Sequence, residues 1–323
     1  MATSRLLLWF VLPLLFPPSL WAWNPTGHEV VARIAWDTMN PDVRKRVVAL
    51  LASAPRDACL VDLMPGDARP LAVREREFFV QVSTWADIVR PGENDRRPCT
   101  RFTRADWHYI NYFWQGVSGA TGNARPTDRS DVTPPTTNVV AQLPLLRPVV
   151  ACSAPQCGTI PGDRAIALAW ILHLVGDIHQ PLHTTGRITP RPDERKGDQG
   201  GNLFLLQSEP RALRLHGYWD GILDRSTPRY NSETQSDYVA RLATAIMQKH
   251  PRAAMLPRLR PAEYEAWARE GLATTKATVY PATLKRGELP SEDYRAFAFT
   301  IAQQTIARAG YRLGDLLNRM FEG

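Results

Sequence analysis

The chain has 323 residues, a formal net charge of +7 and a 44% share of hydrophobic residues. A chain of that size buries a large core as one big domain or two modest ones, and its basic surplus favours polyanionic partners without singling out nucleic acid. Its four cysteines (Cys59, Cys99, Cys152, Cys157) show no Cys-x-x-Cys spacing, which sets aside cysteine-based zinc or redox chemistry.

The first segment reads as an export signal. Arg5 precedes the apolar run LLLWFVLPLLF, Leu6 to Phe16, and PPSLWA follows. A positive start, an apolar stretch of about ten residues and a closing small residue describe a secretory signal peptide. A membrane span needs roughly 20 apolar residues, and Pro13, Pro17 and Pro18 interrupt this run. The expected cut follows Ala22, with Leu20 standing where a second small residue is usual. It divides the chain into a signal peptide, residues 1–22, and a mature domain, residues 23–323, beginning at Trp23 and destined for the periplasm or the exterior. In an exported chain four cysteines suggest two disulfides; of the three possible pairings, Cys59–Cys99 with Cys152–Cys157 is preferred.

The remainder reads as mainly helical. NPDVRKRVVALL places Asn40 as N-cap and Pro41 at the first helical position. Residues 115–137, rich in Gly, Pro, Ser and Thr, predict an exposed loop. DRAIALAWILHLVGDIHQ predicts a helix capped by Asp163 and stopped at Pro181. Residues 187–202 predict a second exposed loop, leading into NLFLLQ and RALRLH as a short β-hairpin. SDYVARLATAIMQK, PAEYEAWAREGLATT and SEDYRAFAFTIAQQTIARAGYRLGDLLNRM add amphipathic helices. No repeat or linker separates folding units, so one mainly α domain is expected.

The chain has seven histidines, and several of them stand beside carboxylates. His173 and Asp177 are four apart and share a helix face, inside a stretch otherwise so apolar that the helix is expected to be buried all round. A buried carboxylate is costly unless it is paired or holds a metal. His183 follows beyond Pro181, and His216 and Asp220 repeat the four-residue spacing. Two His-x-x-x-Asp pairs and a third histidine supply the nitrogen and oxygen donors that zinc favours. Read singly, each pair is an ion pair or a satisfied core histidine. STWADIVR adds Asp87 and Arg90, alone a helix-surface salt pair, and ADWHYIN adds His108, Tyr109 and Asn111, alone a packed aromatic strip. His179 points elsewhere on its helix and His250 lies in an exposed QKHPR, so neither is assigned to a site.

Together WNPTGH, WADIVR, WHYIN, HLVGDIHQPLH, GGN and LHGYWD, in that order from Trp23 to Asp220, resemble the S1/P1 family of secreted zinc nucleases. The resemblance implies a helical domain of the zinc phospholipase C/P1 nuclease type and three Zn2+ ions. It places one zinc on Asp87, His108, His173 and Asp177. A second would be held by His28 and by the free amine and carbonyl oxygen of Trp23, with Asp177 bridging the two. His183, His216 and Asp220 would hold the third. A free amine has a lone pair that a peptide nitrogen lacks, so signal removal would complete the site.

The implied reaction is hydrolysis of single-stranded DNA and RNA to 5′-phosphate products, with 3′-nucleotidase activity on nucleotides and no stable protein partner. Asp87, Arg90 and Asp177 carry the catalytic roles, Arg90 through its match to the family's phosphate-contacting arginine. Tyr109 stands at the base-stacking position and Asn111 at the base hydrogen-bonding position, where some relatives carry aspartate. Two other readings compete. A zinc phospholipase C-like phosphodiesterase would carry Glu in place of Asp220 and a longer spacing from the N-terminal tryptophan to its histidine. A non-catalytic zinc-binding protein would need neither Arg90 nor Tyr109.

Overall fold

The apolar stretch around His173 becomes the helix on which the site is assembled. In the computed structural model, which describes residues 23–116, 127–152, 158, 160–208 and 210–322, it spans Pro161–Asp177, and every residue from Ala167 to Asp177 is buried. The helix starts earlier than its sequence suggests. Ile160 is the N-cap and Pro161 opens the first turn, so Asp163 lies within that turn rather than capping it.

In chain order the α-helices among the described residues are α1 (Pro25–Thr38), α2 (Pro41–Leu51), α3 (Leu71–Val82), α4 (Trp85–Ile88), α5 (Val139–Ala151) and α6 (Pro161–Asp177). They continue with α7 (Leu215–Asp220), α8 (Ile222–Ser226), α9 (Gln235–Lys249), α10 (Arg252–Met255), α11 (Tyr264–Thr274) and α12 (Glu292–Phe321). Local chemistry explains the ends. Asn24 accepts from the Gly27 amide and Pro25 opens α1, while Ser291 accepts from the Tyr294 amide at the head of α12. Asn40 occupies the N-cap of α2, but its side chain makes no capping bond there.

The most extensive helix pairing joins α1 to α12, and α1 also meets α9, α3 and α6. Two glycines on α12 permit the approach. A β-carbon at Gly310 would lie 2.5 Å from the Ile34 Cβ, and one at Gly314 2.6 Å from the Thr38 Cβ. On its other sides α6 packs against α5, α2, α4 and α12, so the core surrounds it. No helix of the described residues is long and apolar enough to cross a membrane.

The hairpin foreseen after Asn202 is present as β4 (Leu205–Gln207) paired antiparallel with β5 (Leu213–Arg214). A three-stranded sheet is an addition. Its central strand β1 (Tyr112–Gln115) pairs antiparallel with β2 (Thr127–Asp128) and parallel with β3 (Thr185–Ile188), so the first predicted loop begins on the last residue of one strand and contains another. The segment 187–202 also departs from an exposed loop, because Glu194 and Asp198 are fully buried within it. Cys59 and Cys99 form a disulfide, as preferred from sequence. The Cys152–Cys157 pairing, the segment 1–22 and residues 117–126 lie outside the described residues.

Candidate metal centre

Six local structures deliver the predicted side chains to one place. His28 comes from the first turn of α1, Asp87 from α4, and His173 and Asp177 from the end of α6. Pro181 then breaks the chain into a short 3-10 turn, Pro181–Thr184, that carries His183. His108 closes another such turn, Ala105–His108, and α7 supplies His216 and Asp220. Glycine makes room for the closest approach: a β-carbon at Gly176 would fall 2.6 Å from His28 Nδ1. The His28 ring accordingly stacks on that of His173, with centroids 4.0 Å apart.

Asp177 is the hub. Its Oδ1 faces His28 Nε2 at 3.3 Å, while its Oδ2 faces His108 Nδ1 at 3.0 Å and His173 Nε2 at 3.2 Å. Asp87 Oδ1 approaches His173 Nε2 at 3.8 Å. Beside this group His183 Nε2 and His216 Nε2 stand 3.1 Å apart, with Asp220 Oδ2 3.6 Å from the latter. His28, Asp87 and His173, then His108, His173 and Asp177, then His183, His216 and Asp220 form three groups, each with ligand atoms within 4.8 Å of one another.

The histidines are aimed from behind. The Nδ1 atoms of His173, His183 and His216 lie 2.8, 2.7 and 2.7 Å from the carbonyl oxygens of Ser83, His108 and Gly200. An N–H donated to each carbonyl leaves the Nε2 lone pair facing inward, the usual support for a metal-binding imidazole. Burial pushes His28 down and His108 to about 4, so both imidazoles are neutral at neutral pH. Burial also works against the charge on Asp177, but the surrounding His173, His108 and His28 overrule it and hold its carboxyl well below the usual range. Asp220 moves the other way, raised well above the usual range by burial and by the nearby charges of Asp87 and Asp177.

These donors fit cations. Both ring nitrogens of His28, together with Asp87 Oδ1, His108 Nε2 and Asp177 Oδ1, are buried without a hydrogen-bond partner. An orphaned buried polar atom costs about 1–3 kcal/mol, and several within one buried cluster of carboxylates and imidazoles call for positive ions. Nitrogen and carboxylate oxygen in this mixture suit zinc. Arg90 stands at the edge with its Nε 3.4 Å from Asp87 Oδ1, outside hydrogen-bond geometry, and its Nε and Nη2 without partners. A cavity of about 360 Å³ opens in front of His108, His183 and His216, and Tyr109, Asn111 and Gln199 line it.

A sequence profile described as S1/P1 Nuclease matches residues 23–322. The chain belongs to the S1/P1 nuclease family. Among the relatives of this S1/P1 nuclease, Endonuclease 2 of Arabidopsis thaliana is 24% identical over 310 residues, covering 94% of this chain and 92% of its own. Endonuclease 4 of the same plant is 28% identical over 160 residues, about half of each chain.

Every His, Asp, Arg, Tyr and Asn predicted for the site of this S1/P1 nuclease lies in the cluster, at its edge or on the cavity wall. Trp23 is fully buried next to them, its Cβ against Gly27, and the following amide of Asn24 donates to the Asp220 carbonyl at 3.0 Å. His179 stays out of the cluster. Its Nδ1 meets the Val175 carbonyl and its Nε2 accepts from Arg312. His250 is likewise separate, at the end of α9. Sequence reasoning missed Gln180, whose Nε2 donates to Asp220 Oδ1 at 2.6 Å and whose Oε1 accepts from the Leu182 amide. Its signal was available, since Gln180 sits between Asp177 and His183 at the break where two ligand-bearing segments must be joined.

Proposed function

We propose that this nuclease uses three Zn2+ ions to hydrolyse phosphodiesters of single-stranded DNA and RNA, leaving 5′-phosphate ends, and that it also removes 3′-phosphates from nucleotides. The observation that carries the reading is Asp177, whose two carboxylate oxygens face different histidines, one His28 and the other His108 and His173, beside a second group of His183, His216 and Asp220. One ion would lie with Asp87, His108, His173 and Asp177, one with His28, Asp177 and the Trp23 amine and carbonyl, and one with His183, His216 and Asp220. Bound divalent ions supply an activated water near neutral pH and charge stabilisation for a phosphate.

The chain's own groups organise the rest. Asp87 Oδ1, without a partner, accepts from the attacking water and orients it. The partnerless Arg90 Nε and Nη2 donate to the phosphate oxygens, a match for which guanidinium geometry is suited. Tyr109 stacks on a base and Asn111 hydrogen-bonds its edge. Stacking tolerates any base but needs one that is unstacked, which favours single strands. The 3′ oxygen leaves on the side of His183, His216 and Asp220. Removal of residues 1–22 on export frees the Trp23 amine.

Metal analysis, N-terminal sequencing and a single-strand nuclease assay on one exported sample test the proposal together. Three zincs, a chain starting at Trp23 and chelator-sensitive cleavage are expected. Fewer than two zincs, or three with no cleavage of RNA, would overturn it; release of headgroup from phosphatidylcholine in place of nucleotides from RNA would move the assignment to a phospholipase.

A further inference from the structure

Behind the third histidine group lies a buried polar network with no part in the chemistry above. Residues 199–201 form a left-handed run, with φ of +55° at Gln199, +60° at Gly200 and +83° at Gly201. Such a run is unfavourable for the non-glycine member and persists only where its surroundings enforce it. Its middle carbonyl, that of Gly200, is the oxygen 2.7 Å from His216 Nδ1. A β-carbon at Gly200 would lie 2.3 Å from the Leu182 carbonyl oxygen, so the run is pressed against the turn that carries His183.

Asp198 anchors the run from its start. It is fully buried, and its Oδ1 accepts from the Arg187 amide at 2.9 Å while its own amide donates to the Arg187 carbonyl at 2.9 Å. Its Oδ2 accepts from the Tyr280 hydroxyl at 2.6 Å, and its carbonyl accepts from the Leu203 amide at 3.1 Å. Tyr280 is held edge-on by Trp114 and Phe204, with the Arg187 guanidinium 4.7 Å from its ring centre. A β-carbon at Gly201 would meet the Tyr280 hydroxyl at 3.1 Å, so the phenol also braces the far end of the run.

We propose that Asp198 and Tyr280 are positioning residues for the His183, His216 and Asp220 cation site, acting through the left-handed run to hold the Gly200 carbonyl on His216 Nδ1 and so fix the tautomer that presents Nε2. The proposal rests on the metal-binding reading of that group. It assigns a site-specific role to two residues that touch none of the predicted ligands' inward-facing atoms. Loss of such an outer partner lowers metal affinity about 10–100-fold.

The test uses the full mature protein and zinc alone. Wild type, Tyr280→Phe, Asp198→Asn and the packing control Trp114→Phe are titrated with zinc under a competing chelator, and the His216 tautomer is read by 15N NMR. Three tight sites are expected in wild type and in Trp114→Phe. Tyr280→Phe and Asp198→Asn should keep two tight sites, weaken one about 10–100-fold, and lose the single Nδ1–H tautomer of His216. Equal affinities in all four proteins would overturn the inference, as would equal weakening by Trp114→Phe, which would mean that loosened packing is the cause. A wild type that binds no zinc would overturn the metal reading and the inference together, whereas three unaltered sites in Tyr280→Phe would overturn the inference alone.

Discussion

Arg90 is the residue whose surroundings distinguish an enzyme from a metal-storing protein. Its guanidinium lies beside Asp87 at the edge of the cluster, with two nitrogens that make no hydrogen bond. Arg90→Ala should leave zinc content unchanged and lower kcat about 10²–10³-fold, the cost of removing a preorganised donor to developing charge. Steady-state kinetics on metal-analysed protein would show it. Tyr109, which lines the cavity, serves binding in the proposed function. Its loss in Tyr109→Ala removes about 1–3 kcal/mol of stacking, a rise in KM of about 5- to 150-fold at little change in kcat, and Tyr109→Phe should restore it.

At the scale of elements, the contacts that fix helix positions set stability. Gly310 lies where α12 crosses α1, with the Ile34 Cβ in the space a methyl would take. Gly310→Ala should destabilise by about 1–3 kcal/mol, overpacking outweighing the gain in helix propensity, as a lower urea midpoint. The buried Arg312 joins three helices: it donates to His179 beyond α6 and to both carboxylate oxygens of Glu270 on α11. Burial would raise the Glu270 carboxyl, but Arg312 and Arg308 overrule it and hold it below the ordinary glutamate range. A depressed folded pKa contributes stability that is present above the unfolded value and lost as pH falls through the folded one. Glu270→Gln should therefore cost about 3 kcal/mol near neutral pH, the low end for a broken buried pair because the Glu270 side chain is 32% exposed. The gap to wild type should close on acidification, as followed by thermal unfolding. Legibility also divides by element. The ligand-bearing α6 was readable because its apolar run and four-residue spacing are local signals. Helix α5 was not, since Pro144 and Pro148 lie inside it and argue against a helix. Strands β1 and β3 escaped because their parallel pairing joins segments about 70 residues apart, which no local pattern announces. In the site, the clustering His and Asp side chains were legible from motifs, whereas the carbonyls of Ser83 and Gly200 behind the histidines carry no side-chain signature.

The core encloses the cluster of His and Asp side chains, so a cation bound there would be linked to folding. Withdrawing cations would leave five partnerless buried atoms on His28, Asp87, His108 and Asp177. Calorimetry should show a lower Tm in chelator and recovery with zinc, each site adding about 2.7 kcal/mol at a free concentration 100 times its Kd; a Tm indifferent to chelator would contradict a metal at this position. The packing of α12 on α1 has a different consequence, in the order of events during folding. His28 stands in the first turn of α1, and the face that covers that helix comes from α12, far along the sequence from it. Contacts so distant along the chain form late. A chain shortened ahead of Glu292 lacks the surface against which α1 settles, so it should leave the apolar stripe of α1 exposed and His28 without a fixed position.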